Sequence, residues 1–599
     1  MKKLSILTSS LVAICLFVML IACNHDIQRT TKTVVDVSVP NFGLYDNHGG
    51  FHRLHYYDNA KAVVLFVQGN KCPIVRNAFI DYKSIEEKYA SQGVEFFMIN
   101  SNVQDDRESI ASEMESYEVD IPVLVDEDQL VADILDLDIT AEVFVLDPKD
   151  WSIAYRGPIN DRIGYESQKN NADVNYLEDA IDATIAGNPV AEAFVNTKGC
   201  AIARKSKHDK GEDLTYSDDI APILLDNCYD CHQEGGIAPW AMESFNAVFG
   251  WSATIKQVLL DQRMPPWQAD PHVESFKDDL SITTEQKRKI ISWIDHGMKK
   301  GNGKDILANA EPSASKWKLG EPDYVIELNK EDIPPTGIID YRYQSHQLPF
   351  DKDLYLSAYQ VLPGNPNVLH HVLANVEYPN GQVFPVKERK SPWLDGILFG
   401  WAPGGNPEVF PERSGKKIPA GSTIYFQNHY TTSGKDESDV TRIGLYFTKD
   451  IPEKEFITIG PANFNIKIPP HEANAAFTAV HKFDEDVTLY QTFPHMHYRG
   501  KSMDFVLEYP NGKSKQVLNV PGYNFNWQRF YSYENPISVP AGSKMMVNAI
   551  FDNSSQNEFN PDPDKTLYFG DQTFDEMLVG YISYTVDDEK RDLSVVTPK

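Results

Sequence analysis

Ser422-Thr423-Ile424-Tyr425-Phe426-Gln427 is a short alternating run rich in β-branched and aromatic side chains, as in a strand that packs one face on a core. Similar runs recur between residues 312 and 595, punctuated by proline and glycine, and this part of the chain has no cysteine. That pattern is typical of β-sandwiches, and the length suits two of them. We therefore predict two all-β, jelly-roll-like sandwiches, over residues 312–455 and 456–595.

Five histidines in this region stand at spacings that suit a bound metal. His495 and His497 are two residues apart, so on a strand their side chains point to the same face and can share one ion. His370 and His371 are adjacent and normally face opposite sides, so both reach one ion only if the strand twists or bulges there. His429 lies in a third run. Imidazoles suit copper, and we predict metal binding by these side chains.

The histidines stand in motifs that resemble the copper type II, ascorbate-dependent monooxygenases, the family of peptidylglycine hydroxylating monooxygenase and dopamine β-monooxygenase. The motifs appear in family order: Leu369-His370-His371-Val372-Leu373, Gln427-Asn428-His429-Tyr430, Pro494-His495-Met496-His497-Tyr498-Arg499-Gly500-Lys501 and Asp575-Glu576-Met577. The resemblance implies two copper ions, one in each sandwich, with ascorbate as one conceivable reductant.

By this resemblance, an electron-relay copper is bound by His370, His371 and His429. The copper at which O2 is activated is bound by a second set, which is also the catalytic set: His495, His497 and Met577. A thioether favours Cu(I) while imidazoles suit Cu(II), so a site with two histidines and one methionine can cycle between both states and keep a position open for O2.

The substrate side of this region departs from the peptide-hydroxylating member. Phe493 stands where that enzyme has an arginine for the substrate carboxylate, and Val579 stands where an asparagine is expected. Tyr581 matches its substrate-binding tyrosine. Without the guanidinium a peptide C-terminus loses its bidentate partner. We therefore expect an unidentified small-molecule substrate rather than peptide amidation.

Residues 33–205 predict an α/β domain. Val63 to Val67 is an apolar run typical of a buried parallel strand, a helix follows Cys72 through Tyr89, and a second strand follows at Val94 to Ile99. Together with Gly69-Asn70-Lys71-Cys72-Pro73, Glu142-Val143-Phe144-Val145-Leu146-Asp147 and Tyr155-Arg156-Gly157, the segment resembles the redoxin branch of the thioredoxin superfamily.

The thiol site of this domain departs from the usual redoxin pattern. A cysteine at a helix start is activated as a thiolate, which favours reactivity at Cys72. Val75 occupies the position that would complete a C-x-x-C, and Ala141 stands where the family usually has a cis-proline. Cys200 could resolve Cys72 from the end of the domain. Two interpretations stay open, a working thiol pair and a structural or docking domain.

Residues 206–305 predict an all-α cytochrome c domain. Cys228-Tyr229-Asp230-Cys231-His232 is a C-x-x-C-H motif, in which both thiols can form thioethers with one haem and the histidine reaches the iron. Met264 lies in a loop with two prolines and is the predicted sixth ligand, with Met242 and Met298 as alternatives. The segment Thr284 to Lys299 predicts a terminal packing helix. One covalent haem c with His/Met ligation would carry electrons.

The N-terminus predicts a targeting signal. Lys2 and Lys3 precede twelve apolar residues, Leu11 to Ala22, a run too short to span a bilayer comfortably. The run ends in Leu20-Ile21-Ala22-Cys23, which resembles a bacterial lipobox. We predict a signal peptide over residues 1–22, lipidation at Cys23, a polar tether over 23–32, and a lipid-anchored protein of the bacterial cell envelope facing the periplasm or the cell surface.

The net charge of the 599 residues excludes one class of partner. Lys and Arg number 56 against 86 Asp and Glu, a formal charge of −30, which disfavours binding to nucleic acids.

Three functions follow from the sequence. The first is a copper monooxygenase that hydroxylates a C–H bond with O2 and receives electrons through the fused haem from an unknown donor. The alternative is an electron-transfer or copper-handling lipoprotein, and the third is a thiol–disulfide or peroxide redox protein. A complete site with two histidines and a methionine favours the enzyme.

Overall fold

The structure is a computed structural model that describes residues 38–165, 167–205, 213–311, 317–377, 379, 397–405 and 407–589. The predicted signal peptide over residues 1–22, the lipidation residue Cys23 and the tether over 23–32 lie outside these ranges. Within them, no helix is both long enough and apolar enough to cross a membrane.

The N-terminal segment has a thioredoxin-like fold. A central sheet of five strands runs in the order β5-β4-β3-β6-β7, with β3, β4 and β5 parallel. The strands are β1 (Gly43–Tyr45), β2 (Phe51–Arg53), β3 (Ala62–Val67), β4 (Val94–Asn100), β5 (Val123–Val125), β6 (Val143–Asp147) and β7 (Ser152–Gly157). The helices are α1 (Pro73–Tyr89), α2 (Arg107–Ser116), α3 (Leu130–Ile134) and α4 (Tyr176–Ile185).

The predicted strand–helix–strand order around Cys72 is confirmed. All six side chains of β3 are buried, because both faces of the sheet are covered, and this explains the unbroken apolar run in the sequence. α1 begins at Pro73, where a proline without an N–H is tolerated in the first turn, and it ends at Tyr89 as predicted.

Residues 213–311 fold as short helices around an apolar core. After a π-helical turn at Tyr216–Ile220 come α5 (Ala221–Asn227), α6 (Phe245–Leu260) and α7 (Thr284–Asp295). The terminal helix was predicted to reach Lys299 but ends at Asp295, because Gly297 adopts a left-handed φ of 90° that stops it. Met298 therefore lies beyond the helix. The cytochrome c identity of this segment stays a prediction.

The first β-rich region pairs two sheets. One runs in the order β10-β16-β12-β13 and the other in the order β19-β15-β11-β18-β8. The strands are β8 (Tyr324–Glu327), β9 (Glu331–Ile333), β10 (Arg342–Gln347), β11 (Leu354–Leu362), β12 (Leu369–Glu377), β13 (Ile397–Trp401), β14 (Glu408–Val409), β15 (Ser414–Ile418), β16 (Thr423–Tyr430), β17 (Glu437–Asp439), β18 (Arg442–Phe447) and β19 (Lys454–Glu455). The alternating run at 422–427 thus belongs to β16.

The second β-rich region also pairs two sheets. Each of them has four strands, in the orders β20-β29-β23-β26 and β22-β27-β24-β25. Its strands are β20 (Ile457–Ile459), β21 (Lys467–Ile468), β22 (Ala475–Lys482), β23 (Val487–His495), β24 (Gly500–Glu508), β25 (Ser514–Val520), β26 (Tyr531–Val539), β27 (Lys544–Phe551), β28 (Leu567–Tyr568) and β29 (Val579–Val586). Between the sheets lies one large apolar core.

A charged junction joins the thioredoxin-like segment to the loop after α6 and to the second β-rich region. Asp270 accepts from Arg107 at 2.7 Å, its backbone N–H donates to the carbonyl of Asn519, and its carboxylate also bonds to His272. His272 in turn contacts Glu127 at 2.8 Å. These bonds hold three segments together, and His272 contributes the link to Glu127 of the thioredoxin-like segment.

The junction predicts a loss of stability in alkaline solution. Hydrogen bonds to Asp270 and Glu127 raise the pKa of His272 from 6.5 to about 9. A raised folded-state pKa means that the stabilisation is complete below pH 6.5 and is lost as the pH rises through about 9. We expect the thermal midpoint of the wild type to fall over this interval and that of His272→Gln to change less. His296→Gln, at an exposed helix end, is the control. If the thermal midpoints of His272→Gln and His296→Gln fall equally with rising pH, the pH dependence does not arise from His272.

Candidate functional site

Three of the predicted metal ligands converge at one end of β12 and β16. His371 pairs directly with His429, and the register shifts between Leu369 and His371, so that His370 sits at a bulge. The bulge that the adjacent histidines required is therefore present. His370 Nδ1 lies 3.1 Å from His371 Nδ1 and 3.3 Å from His429 Nδ1. All three side chains are buried, and one ligand atom from each lies within 4.8 Å of the others.

This triad fits a metal ion. Three ring nitrogens face one another with no carboxylate among them, an arrangement that a shared cation stabilises. Burial lowers the pKa of His370 to about 4 and holds the pKa values of His371 and His429 well below 6.5. The imidazoles are therefore neutral at pH 7, which is the form that binds metals.

His495 and His497 lie at the end of β23 and just beyond it. His495 Nδ1 is 2.8 Å from Gln528 Oε1, and the amide of Gln528 is oriented by a bond from its Nε2 to the carbonyl of Met496. His497 Nδ1 is 3.3 Å from the carbonyl of Asp575. Since carbonyl oxygens only accept, both Nδ1 atoms donate and both Nε2 atoms present a lone pair.

The second cluster also fits a metal. His497 Nε2 is buried and has no hydrogen-bond partner, which would cost about 1–3 kcal/mol if nothing bound there. Burial lowers the pKa of His495 to about 4 and that of His497 well below 6.5. The two rings are 5.3 Å apart between centroids and nearly perpendicular. One ion can therefore face both neutral imidazoles.

Glu576 connects the segment of these histidines to the segment of Met577. Its side chain is fully buried, and its carboxylate accepts the backbone N–H groups of His497 at 3.2 Å and Arg499 at 2.8 Å. Met577 is half-buried and packs beside Phe493. Glu576 belongs to the motif Asp575-Glu576-Met577, but only the fold shows that its carboxylate holds the backbone of His497 and Arg499.

Loss of the Glu576 carboxylate is expected to loosen this site. Glu576→Gln can accept only one of the two backbone bonds through its oxygen and turns an amide toward the other. We expect copper affinity to fall by about 10–100-fold, the usual effect of losing a group that positions a ligand. Titration with a Cu(I) chelator measures it. Glu558→Gln, on the exposed surface of the same region, is the control, and equal affinities would contradict the role.

The two histidine clusters face each other across the interface of the β-rich regions. The rings of His371 and His495 are 6.4 Å apart between centroids. Phe525 stacks on His370 at 4.7 Å and reaches His497 at 6.4 Å, and Tyr341 contacts His429 at 4.9 Å. The five imidazoles thus share one buried chamber with aromatic walls.

A cavity of about 690 Å³ opens beside this chamber. Its lining includes His371 and Gln528, aromatic side chains such as Trp401, Phe493 and Phe530, and the polar side chains of Glu408 and Arg529. Tyr581 is 2% exposed and stacks on Phe493 at 5.3 Å, so Phe493 rather than Tyr581 faces the cavity. Sequence reasoning missed the cavity because residues from three segments line it.

The C-x-x-C-H motif follows α5 directly. His232 Nδ1 is 3.0 Å from the carbonyl of Trp240, so Nδ1 donates and Nε2 is left to bind iron. Cys228 and Cys231 are free thiols, and burial raises the pKa of Cys228 to about 12. These residues fit a covalently attached haem.

The methionines near the motif differ in their surroundings. Met264 is half-buried in the loop after α6. Met242 is 4% exposed, and its N–H donates to the carbonyl of His232 at 2.7 Å. Met298 packs against the core of the segment. The identity of the sixth ligand stays a prediction.

The two remaining thiols are joined in a disulfide, Cys72–Cys200. Cys72 is 4% exposed and lies 3.2 Å from the hydroxyl of Thr140, which also accepts the N–H of Cys200. Ala141 has a φ of 62° where the family usually has its cis-proline. The two cysteines predicted to react with each other are thus bonded in the structure, and their redox activity stays a prediction.

Comparison with known families matches two parts of the chain. Residues 35–156 match the AhpC/TSA family, and residues 456–596 match the C-terminal domain of the copper type II ascorbate-dependent monooxygenases. These matches support the redoxin resemblance and an oxidoreductase of monooxygenase type. A search of curated proteins finds no match.

Three similar solved structures each cover less than a third of the chain. A hypothetical protein from Sinorhizobium meliloti 1021 is 26% identical over 29% of this chain and 96% of its own, with a TM-score of 0.27. An uncharacterized conserved protein from Geobacillus kaustophilus is 29% identical over 29% and 93%, with a TM-score of 0.26. Peroxidoxin BcpB from Mycobacterium tuberculosis is 19% identical over 26% and 94%, with a TM-score of 0.20.

Proposed function

We propose that this protein is a copper-dependent monooxygenase that hydroxylates a C–H bond of a small molecule. The observation that carries the proposal is the pair of buried, neutral histidine clusters that face each other across two β-rich regions. The overall reaction combines R–H, O2, two electrons and two protons into R–OH and water. The two electrons come from an external donor, because the oxidation of R–H to R–OH supplies only two of the four electrons that fully reduce O2.

In this proposal each cluster holds one copper ion, which supplies one-electron redox chemistry when bound. His370, His371 and His429 hold the relay ion, and His495, His497 and Met577 hold the ion that meets O2. Gln528 and the carbonyl of Asp575 fix the tautomers of His495 and His497, so both present Nε2 lone pairs. This orientation precedes metal binding and lowers its entropic cost.

The cavity beside the chamber is the proposed substrate site. Its lining combines aromatic side chains with charged and polar ones, which suits a small molecule that carries both an apolar part and polar groups. Phe493, in the lining of this cavity, stands where the peptide-hydroxylating member has its carboxylate-binding arginine. This supports a substrate other than a peptide C-terminus.

We further propose that Cys228 and Cys231 attach one haem c, with His232 and Met264 as axial ligands. The bond from His232 Nδ1 to Trp240 supports the proximal role. Met242 is tied by its backbone to His232 and lies in the core, which favours Met264 as the residue that would supply the second ligand. Attachment to the bacterial cell envelope through lipid on Cys23 completes the proposal and is carried by the sequence alone.

Reductant-driven O2 consumption by the copper-loaded protein tests the proposal. Candidate substrates are screened, and ¹⁸O2 identifies a hydroxylated product by mass spectrometry. Incorporation of one labelled atom per O2 is the expected result. Binding of two coppers with haem reduction but no incorporation would instead indicate electron transfer or copper handling.

The Cys72–Cys200 disulfide favours a second function, thiol–disulfide exchange. In this reaction two external thiolates reduce the bond, and two electrons and two protons are taken up as two thiols. Titration of the free thiols with a dithiol reductant of known potential, in wild type and Cys200→Ser, tests it. Resistance of the disulfide in the folded protein would indicate a structural role.

A further inference from the structure

The haem-attachment motif lies directly against the copper half of the chain. Gly404 belongs to the loop between β13 and β14, and a Cβ atom at this glycine would lie 3.6 Å from Cys231 Sγ and 3.8 Å from Arg529 Nη2. The backbone of Gly404 therefore lies close to both Cys231 and Arg529, and a side-chain carbon at this position would touch the Cys231 sulfur. The left-handed φ of 72° at Gly404 lets the loop make this approach.

Arg529 is a buried cation at this contact. It is 9% exposed, donates from Nη2 to the carbonyl of Gly404 at 2.8 Å and from Nη1 to that of Pro266 at 3.4 Å, and lies over the ring of Trp267. Within the described residues no carboxylate comes within ion-pair distance of it. Burying an unpaired cation costs several kcal/mol in general, so its position calls for a function.

The next residue along the chain reaches a predicted copper ligand. Gln528 precedes Arg529, and its side chain bonds to His495 Nδ1 at 2.8 Å. A connection therefore runs from Cys231 across a short gap to Gly404, across one hydrogen bond to the side chain of Arg529, through the covalent bonds of Arg529 and Gln528, and across a second hydrogen bond to His495. Electron tunnelling is favoured through such bonded contacts over gaps through space.

We propose that Arg529 is the contact through which electrons pass from the haem attached at Cys231 to the copper site of His495 and His497. The inference rests on the proposed function, since it requires both groups to be bound. In each transfer one ferrous iron becomes ferric and one Cu(II) becomes Cu(I), with no atom moved. A one-electron donor then reduces the iron again, and two transfers supply one hydroxylation.

A second connection runs from the same loop toward the other cluster. Gly405 packs against the indole of Trp401, with a Cβ at Gly405 falling 3.3 Å from Trp401 Nε1. Trp401 pairs with Val372, the neighbour of His371. The path through Trp401 depends on packing contacts and on the pairing of two strands. The path through Arg529 uses two side-chain hydrogen bonds instead. The two paths can be separated by mutation.

Rapid reduction of the full-length holoprotein tests the proposal without turnover. The haem is reduced anaerobically in a flash, and loss of its ferrous absorption band and of the Cu(II) EPR signal give the intramolecular rate. We expect Arg529→Met to slow this rate at least 10-fold, with haem content, haem midpoint potential and two bound coppers retained. Arg529→Lys, which cannot span both carbonyls, should give an intermediate rate and serves if Arg529→Met does not fold.

Two further variants sharpen the outcome. Arg107→Met removes a partly buried arginine from the junction with Asp270, off the proposed path, and should keep the wild-type rate. Trp401→Leu cuts the other connection. Wild-type rates in both Arg529 variants, or slowing only in Trp401→Leu, would overturn the inference. A wild type without c-type haem, or with fewer than two coppers, would refute the proposed function itself.

Discussion

His495→Ala is expected to leave one bound copper of two and to lower reductant-driven O2 uptake by a factor on the order of 100 or more. His495 is 4% exposed, its Nδ1 bonds to Gln528, and its ring lies 5.3 Å from that of His497 between centroids. Alanine leaves one imidazole and one thioether, too few ligands to hold copper in a defined geometry. Metal analysis and an oxygen electrode measure the two effects.

The control for this variant is a histidine outside the clusters. His471 is exposed, lies in a turn and contacts only the surface carboxylate of Asp564 among the ion pairs of the described residues. His471→Ala should keep both coppers and the full rate. Retention of two coppers and of O2 uptake in His495→Ala would contradict the site, whereas loss of both coppers would mean that the clusters form one unit.

That last outcome has a structural basis. His371 and His495 lie 6.4 Å apart between ring centroids, and Phe525 contacts rings of both clusters. A substitution in one cluster can therefore move the other through shared packing. His429→Ala, measured alongside, distinguishes two separate copper sites from one shared unit. If the sites are separate, this variant loses only the copper of its own cluster, because the bond from His495 to Gln528 does not depend on His429.

Sequence reasoning predicted local features of this protein well. Spacing alone indicated that His370 and His371 need a bulge, and the register shift at His370 is there. Spacing also predicts His495 and His497 on one face of a strand, but β23 ends at His495 and His497 lies just beyond it. The buried strand Ala62–Val67 and the helix after Cys72 were predictable because burial on both faces and a proline in the first turn leave a mark in the sequence.

Features that depend on distant segments were not predictable. Gln528 orients His495 across 33 residues of sequence, and no pattern distinguishes it from other glutamines. Arg529 meets Pro266 across 263 residues. The spacing predicts too long a helix at Thr284–Asp295 because Ile290, Ile294 and Met298 stay four residues apart past Gly297, the glycine that ends it. Apolar spacing indicates which residues are buried, but a glycine in the left-handed region ends a helix even where that spacing continues.

Replacing both thiols of the C-x-x-C-H motif is expected to abolish the haem chromophore. Cys228→Ser with Cys231→Ser removes both sulfur atoms that would form thioethers, and His232 by itself binds haem only reversibly. We expect loss of c-type absorption bands under denaturing conditions, where only covalently attached haem stays with the chain. Copper content should stay at two, because all six predicted copper ligands lie in other segments.

The other cysteine pair provides the matched control. Cys72→Ser with Cys200→Ser removes the disulfide of the thioredoxin-like segment and should leave haem incorporation unchanged. A wild type without covalent haem after expression with a cytochrome c maturation system would contradict the motif's assignment. The variant with Cys228→Ser and Cys231→Ser also tests the contact at Arg529. If an external donor reduces its copper sites as fast as those of the wild type, electrons enter without the haem. The path through Cys231 is then not the entry route.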